Sequence, residues 1–364
     1  MQITRVDVTP VELPLRLPYR TVDGREVNHT GAIFIRIETK QGLTAWGCTA
    51  VDPAFTTTPL ADVVRVCRDC ADRARDLNPL NIEYALAELA EIAQGTPEAL
   101  CAFDTAFYDL MGLATRLPLH RLLGGYRSRI ETSITVPRAP IPETVELAHG
   151  YARQGFRILK IKSSHDAQED VRRTRAVHDA LPNLTLRLDA EGGYTVQEAL
   201  DVSRVLEEAG VLHPAGRTTR LEMLEQPTPA DDLSALSEVT QRSEVPILAD
   251  EGVRGPSSAL EIASQRAAHG LNVKLVTCGG IQCGRQVDAI ARAARMATMV
   301  GCVHEPALLI AAGLGLALSS SNVRYADLDG CFDLEDDPTV PGFRLEEGWL
   351  IAQDVPGLGC SVEL

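Results

Sequence analysis

Three carboxylates follow short apolar segments in the second half of the chain. Asp189 ends TLRLD, Glu225 ends LEMLE and Asp250 ends PILAD. If these segments are neighbouring strands of one parallel sheet, the three carboxylates lie side by side at its carboxyl edge. Oxygen ligands in that number, with room for water and substrate, suit Mg²⁺, and no Cys or His shares these positions to favour a softer metal. The spacing therefore predicts a site for one Mg²⁺ ion.

Lysines occupy the same kind of position on the flanking segments. Lys160 and Lys162 lie in RILKIK, and Lys274 ends LNVK. We expect Lys162 and Lys274 to stand on opposite sides of the metal, where each can reach one face of a bound carboxylate substrate. Lys160 shares a face with Lys162 by the two-residue repeat of a strand, and its charge should lower the pKa of Lys162 toward that of a working base.

This arrangement suits removal of a proton next to a carboxylate. A divalent cation stabilises the enediolate that forms when the α-proton leaves. Two lysines on opposite faces allow the proton to return from either side, which predicts racemisation or epimerisation. A single active lysine would instead give elimination or isomerisation.

Such residues need a barrel of parallel strands to bring them together. From residue 130 onward, short apolar segments alternate with amphipathic segments such as 142–154 and 257–268, which is typical of repeated β/α units. Eight parallel strands with eight crossovers describe a closed barrel with its catalytic groups at the carboxyl ends of the strands. The predicted strands are 130–136, 157–162, 184–189, 221–225, 246–250, 271–275, 298–303 and 323–327.

The first part of the chain has a different pattern. Apolar and polar residues alternate in ITRVDVTPVELPL and AIFIRIETKQGLTAWGC, which predicts antiparallel strands, and helical periodicity follows at 60–75, 79–93 and 97–115. We predict an α+β capping domain at 1–125 and a barrel domain at 126–334. The C-terminal segment 335–364 is expected to return to the capping domain.

Composition limits the partners of the protein. Its 364 residues have a formal net charge of −15, so a nucleic-acid partner is not expected. The absence of a signal-like start and of long apolar runs predicts a cytoplasmic protein with no membrane partner, and its size favours a homo-oligomer. Nine scattered cysteines suit reduced thiols, and we interpret the pair Cys67 and Cys70 as packing residues of a helix.

Several motifs resemble those of the enolase superfamily, in particular the muconate-lactonising subgroup and its dipeptide epimerases of the L-Ala-D/L-Glu type. The resemblance covers essentially the whole chain. It implies an α/β fold made of a modified (β/α)7β TIM-type barrel with an α+β capping domain, and a lysine base acting beside a metal-stabilised enediolate. The motifs are KIK at 160–162, DAEGGY at 189–194, EQP at 225–227, ADE at 249–251, VKLVTCGGI at 273–281, GCVHE at 301–305 and YADLDG at 325–330.

The last motif distinguishes the substrate. The resemblance implies that Asp327 and Asp329 receive the α-ammonium group of a dipeptide, and that Thr135 is a substrate contact. Two carboxylates two residues apart suit an ammonium group. The implied function is a Mg²⁺-dependent epimerase that inverts the α-carbon of the C-terminal residue of an L,L-dipeptide. Its alternatives are an N-acylamino-acid racemase, an o-succinylbenzoate synthase or cycloisomerase of the same subgroup, or a non-catalytic barrel.

The side chain of the substrate is harder to predict. The resemblance assigns its recognition to loops at 16–29 and 48–58 and to the end of the seventh strand, where His304 could line the pocket. Arg20 and Arg25 would suit an acidic side chain, as in Ala-Glu epimerases, which we favour weakly. A cationic side chain would instead be suited by Asp23, Glu26, Asp52 and Glu305.

The chain departs from the family pattern at three places. Glu191 stands where the family usually has Asn, which adds a carboxylate beside the metal site. The segment 213–220 is expected to form an extra turn before the fourth strand. Trp46-Gly47-Cys48 replaces a region where family members often carry a Glu.

Overall fold

The computed structural model describes residues 1–20, 26–53, 55–56, 58–208 and 221–364. Its first part is an antiparallel sheet whose central strand is rich in β-branched residues, which favour extended backbone. Ile33, Ile35 and Ile37 are fully buried in that strand. The sheet contains β1 (Ile3–Arg20), β2 (Glu26–Thr39) and β3 (Thr44–Val51), in that order.

Four helices complete the described residues of this part, and the three predicted helices are confirmed to within a few residues. They are α1 (Leu60–Ala74), α2 (Ile82–Ile92), α3 (Pro97–Thr115) and the short α4 (Leu119–Leu123). Cys67 and Cys70 lie on the buried face of α1, and burial raises the pKa of both thiols. None of the helices in the described ranges combines the length and apolar character needed to cross a bilayer.

A sheet of eight parallel strands forms the second part, and its strands follow one another in chain order. The short β4 (Arg129–Glu131) precedes it. The barrel strands are β5 (Ile134–Val136), β6 (Ile158–Lys162), β7 (Thr185–Asp189), β8 (Leu221–Glu225), β9 (Ile247–Ala249), β10 (Gly270–Lys274), β11 (Ala297–Gly301) and β12 (Val323–Asp327).

Helices connect successive barrel strands in seven β/α units. They are α5 (Ile141–Arg153), α6 (Ala167–Ala180), α7 (Val196–Glu208), α8 (Leu233–Arg242), α9 (Pro256–Gln265), α10 (Leu275–Cys278), α11 (Ile281–Ala293) and α12 (Ala307–Ser319). After β12 the described chain continues as a 3₁₀ turn, Gly330–Asp333. The (β/α)7β fold is therefore confirmed, whereas the eighth crossover expected from periodicity is wrong.

The barrel is nearly closed between its first and last strands. Thr132 forms a parallel bridge with Ala326, and the Ser133 amide donates to the Ala326 carbonyl at 3.2 Å. The predicted first strand, 130–136, is in fact two strands, because β4 leaves the barrel and pairs with a strand near the C-terminus. The other predicted strands agree with the structure within a few residues, and the predicted extra turn at 213–220 lies outside the described residues.

The C-terminal segment connects both parts. It contains β13 (Thr339–Val340), β14 (Phe343–Glu346), β15 (Trp349–Ala352) and β16 (Ser361–Val362), of which β15 pairs with β4. The Leu358 amide donates to the Asp109 carboxylate of α3 at 2.7 Å. The division into a capping domain at 1–125 that is joined by 335–364 and a barrel domain at 126–334 stays a prediction.

One buried carboxylate joins the first part to the barrel at the start of α11. Asp104 of α3 accepts hydrogen bonds from the backbone amides of Ile281 and Gln282, at 2.6 and 3.0 Å. The first amides of a helix such as α11 have no acceptor within the helix, and a negative charge is favoured beside them. A Cβ atom on Gly280 would lie 2.4 Å from the Asp104 carboxyl carbon, so the close approach needs glycine there.

Candidate active site

The three predicted metal ligands meet at the carboxyl end of the barrel. Asp189 and Glu225 end β7 and β8, and Asp250 directly follows β9. Each offers one carboxylate oxygen, and these oxygens lie within 4.8 Å of one another. All three side chains are buried, and burial raises the pKa of Glu225 to about 8 and that of Asp250 to about 6.

Glu225 carries a sign that the carboxylate cluster fits a cation. Its Oε1 accepts a hydrogen bond from Asn272 Nδ2 at 2.7 Å, but its buried Oε2 has no hydrogen-bond partner among the described residues, and Lys160 Nζ stays 3.4 Å away. A buried oxygen without a partner is costly, and a divalent cation between the three carboxylates would satisfy it. Gly301 makes room for Asn272, because a Cβ there would lie 2.5 Å from the amide oxygen.

The predicted lysines reach the cluster from β6 and β10, with the three acidic strands between them. Lys162 Nζ lies 2.8 Å from Asp189 Oδ2, and Lys274 Nζ lies 2.6 Å from Asp250 Oδ2. The ring centroid of Phe55 is 4.0 Å from Lys274 Nζ and 6.0 Å from Lys162 Nζ. The two ammonium groups therefore reach the acid cluster from its two ends, and one aromatic ring covers both.

Lys160 is a buried partner of carboxylates on three strands. Its Nζ donates to Asp327 Oδ2 at 2.6 Å and lies 3.0 Å from Asp189 Oδ2. Both Lys160 and Lys162 approach the same Asp189 oxygen, as expected for two residues on one side of a strand. Lys160 is 3% exposed, which leaves little of it open to a substrate.

The expected pKa of Lys162 is wrong for this structure. Burial and the neighbouring Lys160 lower the pKa of Lys162, but Asp189 and Glu191 raise it by more than this. The net pKa therefore lies well above the ordinary lysine value. The pKa of Lys274 is also raised, because Asp250 outweighs burial. The adjacent cation is visible in the sequence, whereas the carboxylates that the barrel brings within 3 Å of Lys162 are not.

The predicted ammonium site lies on the last strand. Asp327 Oδ2 accepts from Lys160, and its Oδ1 accepts from Ser133 Oγ at 2.5 Å. Asp329 Oδ2 accepts from the Thr135 backbone amide at 2.7 Å. Lys160 outweighs burial and lowers the pKa of Asp327, whereas burial and Asp327 raise the pKa of Asp329. Asp329 Oδ1 also accepts a hydrogen bond from Cys302 Sγ at 3.6 Å. Both carboxylates thus have protein partners on both oxygens, and within the described residues Asp327 is the one of the two that is paired with a cation.

Two adjoining spaces lie beside these residues. The smaller, called the inner chamber, has a volume of about 70 Å³ and contacts the three lysines together with Asp327 and Asp329. The larger, called the outer cavity, has a volume of about 640 Å³ and shares five lining residues with it. Residues lining both are Phe55, Thr135, Lys162, His304 and Asp333.

His304 lines both spaces and joins the barrel to the first sheet. Asp52 accepts hydrogen bonds from Tyr19 Oη at 2.5 Å and, where Nδ1 carries the proton, from His304 Nδ1 at 2.9 Å. The rings of Tyr19 and His304 stack with their centroids 4.9 Å apart. Asp52, predicted as a charge for the substrate, is instead buried behind these rings.

Glu305 does not line either space. It is 2% exposed, and burial raises its pKa to about 8, so the group is largely neutral at pH 7. A direct charge contact with the substrate is therefore not supported by its position. Arg25, Asp23 and the side chain of Arg20 lie outside the described residues.

Sequence reasoning missed Phe55, Arg138 and Asp333. Phe55 belongs to the predicted loop 48–58 but was not singled out, because an aromatic residue in a loop gives no specific signal. Arg138 follows the first barrel strand in SITVPR, at the kind of position that was inspected for the other strands. Asp333 ends the 3₁₀ turn after β12, beyond the last motif.

Comparisons with known proteins agree with this architecture. Residues 2–124 match the family described as mandelate racemase / muconate lactonizing enzyme, N-terminal domain. Residues 143–363 match the family described as enolase C-terminal domain-like. The chain therefore belongs to the mandelate racemase / muconate lactonizing enzyme family of the enolase superfamily.

Three relatives illustrate the similarity. An L-Lys-D/L-Arg epimerase of Methylococcus capsulatus is 33% identical over 99% of both chains. A dipeptide epimerase of Enterococcus faecalis, solved with Mg and L-Leu-L-Tyr, is 31% identical with a TM-score of 0.93, over 99% of this chain and 100% of that one. A substrate-liganded L-Ala-D/L-Glu epimerase of Bacillus subtilis is 30% identical with a TM-score of 0.93, over the full length of both. The prediction of an isomerase is confirmed.

Proposed function

We propose that this protein is a dipeptide epimerase that inverts the α-carbon of the C-terminal residue. The observation that carries the proposal is the position of Lys162 and Lys274 at the two ends of one carboxylate cluster. The inner chamber also includes Asp327 and Asp329, which suit the α-ammonium group of a dipeptide. Relatives named as dipeptide epimerases with bound Mg and dipeptide support the same activity.

The metal would be held by Asp189, Glu225 and Asp250, and the unpartnered Glu225 oxygen supports the fit. Mg²⁺ bound there supplies positive charge that stabilises the enediolate formed from the substrate carboxylate. Asn272 keeps Glu225 oriented toward the cluster. Metal ligands are commonly held in this way by a second group.

The residues of the chain divide the proton transfer between two faces. One of Lys162 and Lys274, in its neutral form, accepts the α-proton, and the other, in its protonated form, delivers a proton to the opposite face. The ring of Phe55 lies over Lys274 Nζ at 4.0 Å and reaches to 6.0 Å from Lys162 Nζ. Lys160 stays paired with Asp327 and contributes positive charge rather than a base.

The ammonium site separates this proposal from its nearest rival, racemisation of an N-acylated amino acid. An acylated nitrogen carries no charge, so Asp329 would then have no cation to bind. In the structure the Asp329 carboxylate borders the inner chamber together with the two proposed bases. This placement favours a substrate with a free ammonium group.

We propose further that the substrate side chain in the outer cavity is neutral or cationic rather than acidic. The cavity contains the carboxylates of Asp333 and Glu143. Its Arg138 is already paired with Glu191, which leaves no unpaired guanidinium among the described lining residues. This differs from the weak preference for Ala-Glu that the loop arginines suggested.

A library of dipeptides incubated in D₂O with Mg²⁺ tests the proposal. We expect mass spectrometry to show one deuterium at the α-carbon of the C-terminal residue, together with the appearance of the L,D epimer. Lys162→Ala and Lys274→Ala should each abolish inversion. The absence of deuterium in every dipeptide, with exchange into N-acylamino acids instead, would favour the racemase alternative.

A further inference from the structure

Glu191 has an unusual backbone conformation beside the proposed metal site. It follows Asp189 by two residues and adopts a left-handed backbone conformation, with φ of 49°, which is uncommon for a residue other than glycine, Asn or Asp. Its backbone amide donates to Asp189 Oδ1 at 3.3 Å. The side chain is 19% exposed and borders the outer cavity.

The Glu191 carboxylate connects three loops at the barrel mouth. Its Oε1 accepts from Lys162 Nζ at 2.9 Å, and its Oε2 accepts from Arg138. Arg138 also approaches His165 Nε2 at 2.6 Å, and this ring nitrogen is 3.8 Å from Glu191 Oε2. Arg138 follows β5, Lys162 ends β6 and His165 follows it, so Glu191, after β7, holds neighbouring strand ends together.

The two proposed bases are anchored differently. Within the described ranges, Lys274 has one carboxylate partner, Asp250, which belongs to the metal cluster. Lys162 has two: Asp189, whose Oδ2 is shared with Lys160, and Glu191, which lies outside the cluster. Lys162 therefore has a carboxylate anchor independent of the metal ligands, and Lys274 has none among the described residues.

We propose that Glu191 is a positioning residue that holds Lys162 Nζ toward one face of the substrate, an inference that rests on the proposed epimerase function. Loss of the Glu191 carboxylate leaves Lys274 in place. Proton transfer then fails on the face served by Lys162 and continues on the other. A residue needed only for folding or metal binding would affect both faces equally.

Exchange and inversion can be measured separately to test this. The α-proton of one epimer is removed by Lys162 and that of the other by Lys274. A base that removes a proton, exchanges with D₂O and returns deuterium labels the substrate without inverting it. Inversion needs both lysines, so a defect in Lys162 alone leaves labelling without inversion in the epimer that Lys274 deprotonates.

The experiment compares the wild type, Glu191→Ala, Glu191→Gln and the surface control Glu261→Gln, starting from each epimer of a dipeptide that the wild type converts. Lys162→Ala and Lys274→Ala identify the epimer that each lysine deprotonates. We expect Glu191→Ala to slow inversion from both epimers by about 100-fold, the cost of a misplaced group. Labelling without inversion should persist in the epimer that Lys274 deprotonates and should fall in the epimer that Lys162 deprotonates. The amide oxygen of Glu191→Gln can still accept a hydrogen bond from Lys162, so the inversion rate of this variant should lie between those of the wild type and Glu191→Ala.

Thermal melting with and without Mg²⁺ provides a readout besides activity. The proposal expects an unchanged Mg²⁺-dependent rise of the melting temperature in both Glu191 variants. Equal loss of labelling from both epimers, a loss of the Mg²⁺ effect, or full inversion by Glu191→Ala would overturn the positioning role. A wild type that labels neither epimer of any dipeptide would contradict the epimerase function itself, so the two failures are distinguishable.

Discussion

The ring of Phe55 lies 4.0 Å from Lys274 Nζ and covers the inner chamber from the side of the first sheet. An aromatic face at this distance stabilises an ammonium group and keeps water away. We expect Phe55→Ala to lower kcat by about tenfold, which corresponds to a cation–π contribution of about 1–2 kcal/mol.

Phe55→Leu is the matched control because it keeps the bulk and removes the π face. An intermediate kcat in this variant, with unchanged Mg²⁺ binding by calorimetry, would support both the covering and the electrostatic role. Equal kcat in the wild type and Phe55→Ala would show that the ring does not contribute to turnover.

Asp329 is expected to bind the ammonium group of the dipeptide. Replacing it by Asn should reduce kcat/KM by about 10- to 100-fold, since a hydrogen bond to a charged group contributes about 1.5–3 kcal/mol. N-acetylation of the dipeptide should reduce the kcat/KM of the wild type by a similar factor. It should reduce the kcat/KM of Asp329→Asn only a little further. The exposed Asp336→Asn serves as the control, and additive losses from mutation and acetylation would contradict the assignment.

The residues at the strand ends could be predicted from the sequence, because each lysine or carboxylate follows an apolar segment. In a barrel the carboxyl ends of all strands lie on the same face. Asp189, Glu225 and Asp250 therefore converge as expected. The pKa of Lys162 was not readable in this way. It depends on distances to carboxylates on other strands, which spacing along the chain does not contain.

Loop residues resisted prediction for a related reason. His304 and Glu305 are adjacent, yet one lines the chamber and the other is buried away from it. The pairing of Arg138 with Glu191 joins loops that are 53 residues apart. Such contacts depend on backbone turns, including the left-handed conformation of Glu191, that side-chain type alone does not determine.

Asn272 should govern metal affinity through Glu225. Its Nδ2 donates to Glu225 Oε1 at 2.7 Å, and removing such a supporting group typically weakens metal binding by about 10–100-fold. We expect this loss for Asn272→Ala in calorimetric titrations with Mg²⁺, with the exposed Asn183→Ala as control. Unchanged affinity would mean that Glu225 is either oriented by other groups or not a ligand.

Asp333 should select the side chain of the substrate. It borders both spaces, no hydrogen bond to its carboxylate occurs within the described residues, and burial together with Asp329 raises its pKa to about 6. At pH 8 it is largely ionised and suits a cationic side chain. Asp333→Asn should lower kcat/KM about tenfold for dipeptides with Lys or Arg, the cost of about one charged hydrogen bond. Values for neutral dipeptides should not change, and equal losses for both classes would contradict a selective role.

Asp104 should stabilise the contact between α3 and α11, in a manner that depends on pH. Asp104→Ala removes the acceptor of two buried amides, and we expect the free energy of unfolding to fall by about 1–3 kcal/mol. Burial raises the pKa of the Asp104 carboxyl from 3.8 to about 7. Between these values the folded protein binds a proton that the unfolded chain does not, so this group favours folding more as the pH falls and less as it rises through 7.

Urea unfolding of the wild type and Asp104→Ala at pH 5 and pH 8 checks both parts of this expectation. The Asp104 carboxyl should make the free energy of unfolding of the wild type larger at pH 5 than at pH 8. In Asp104→Ala this contribution to the difference between the two pH values should be absent. Asp69→Ala, an exposed acid on α1, is the control and should leave the pH dependence unchanged. If Asp104→Ala kept the full wild-type difference, the pH dependence would have to come from other buried acids such as Asp109, whose pKa burial raises to about 6.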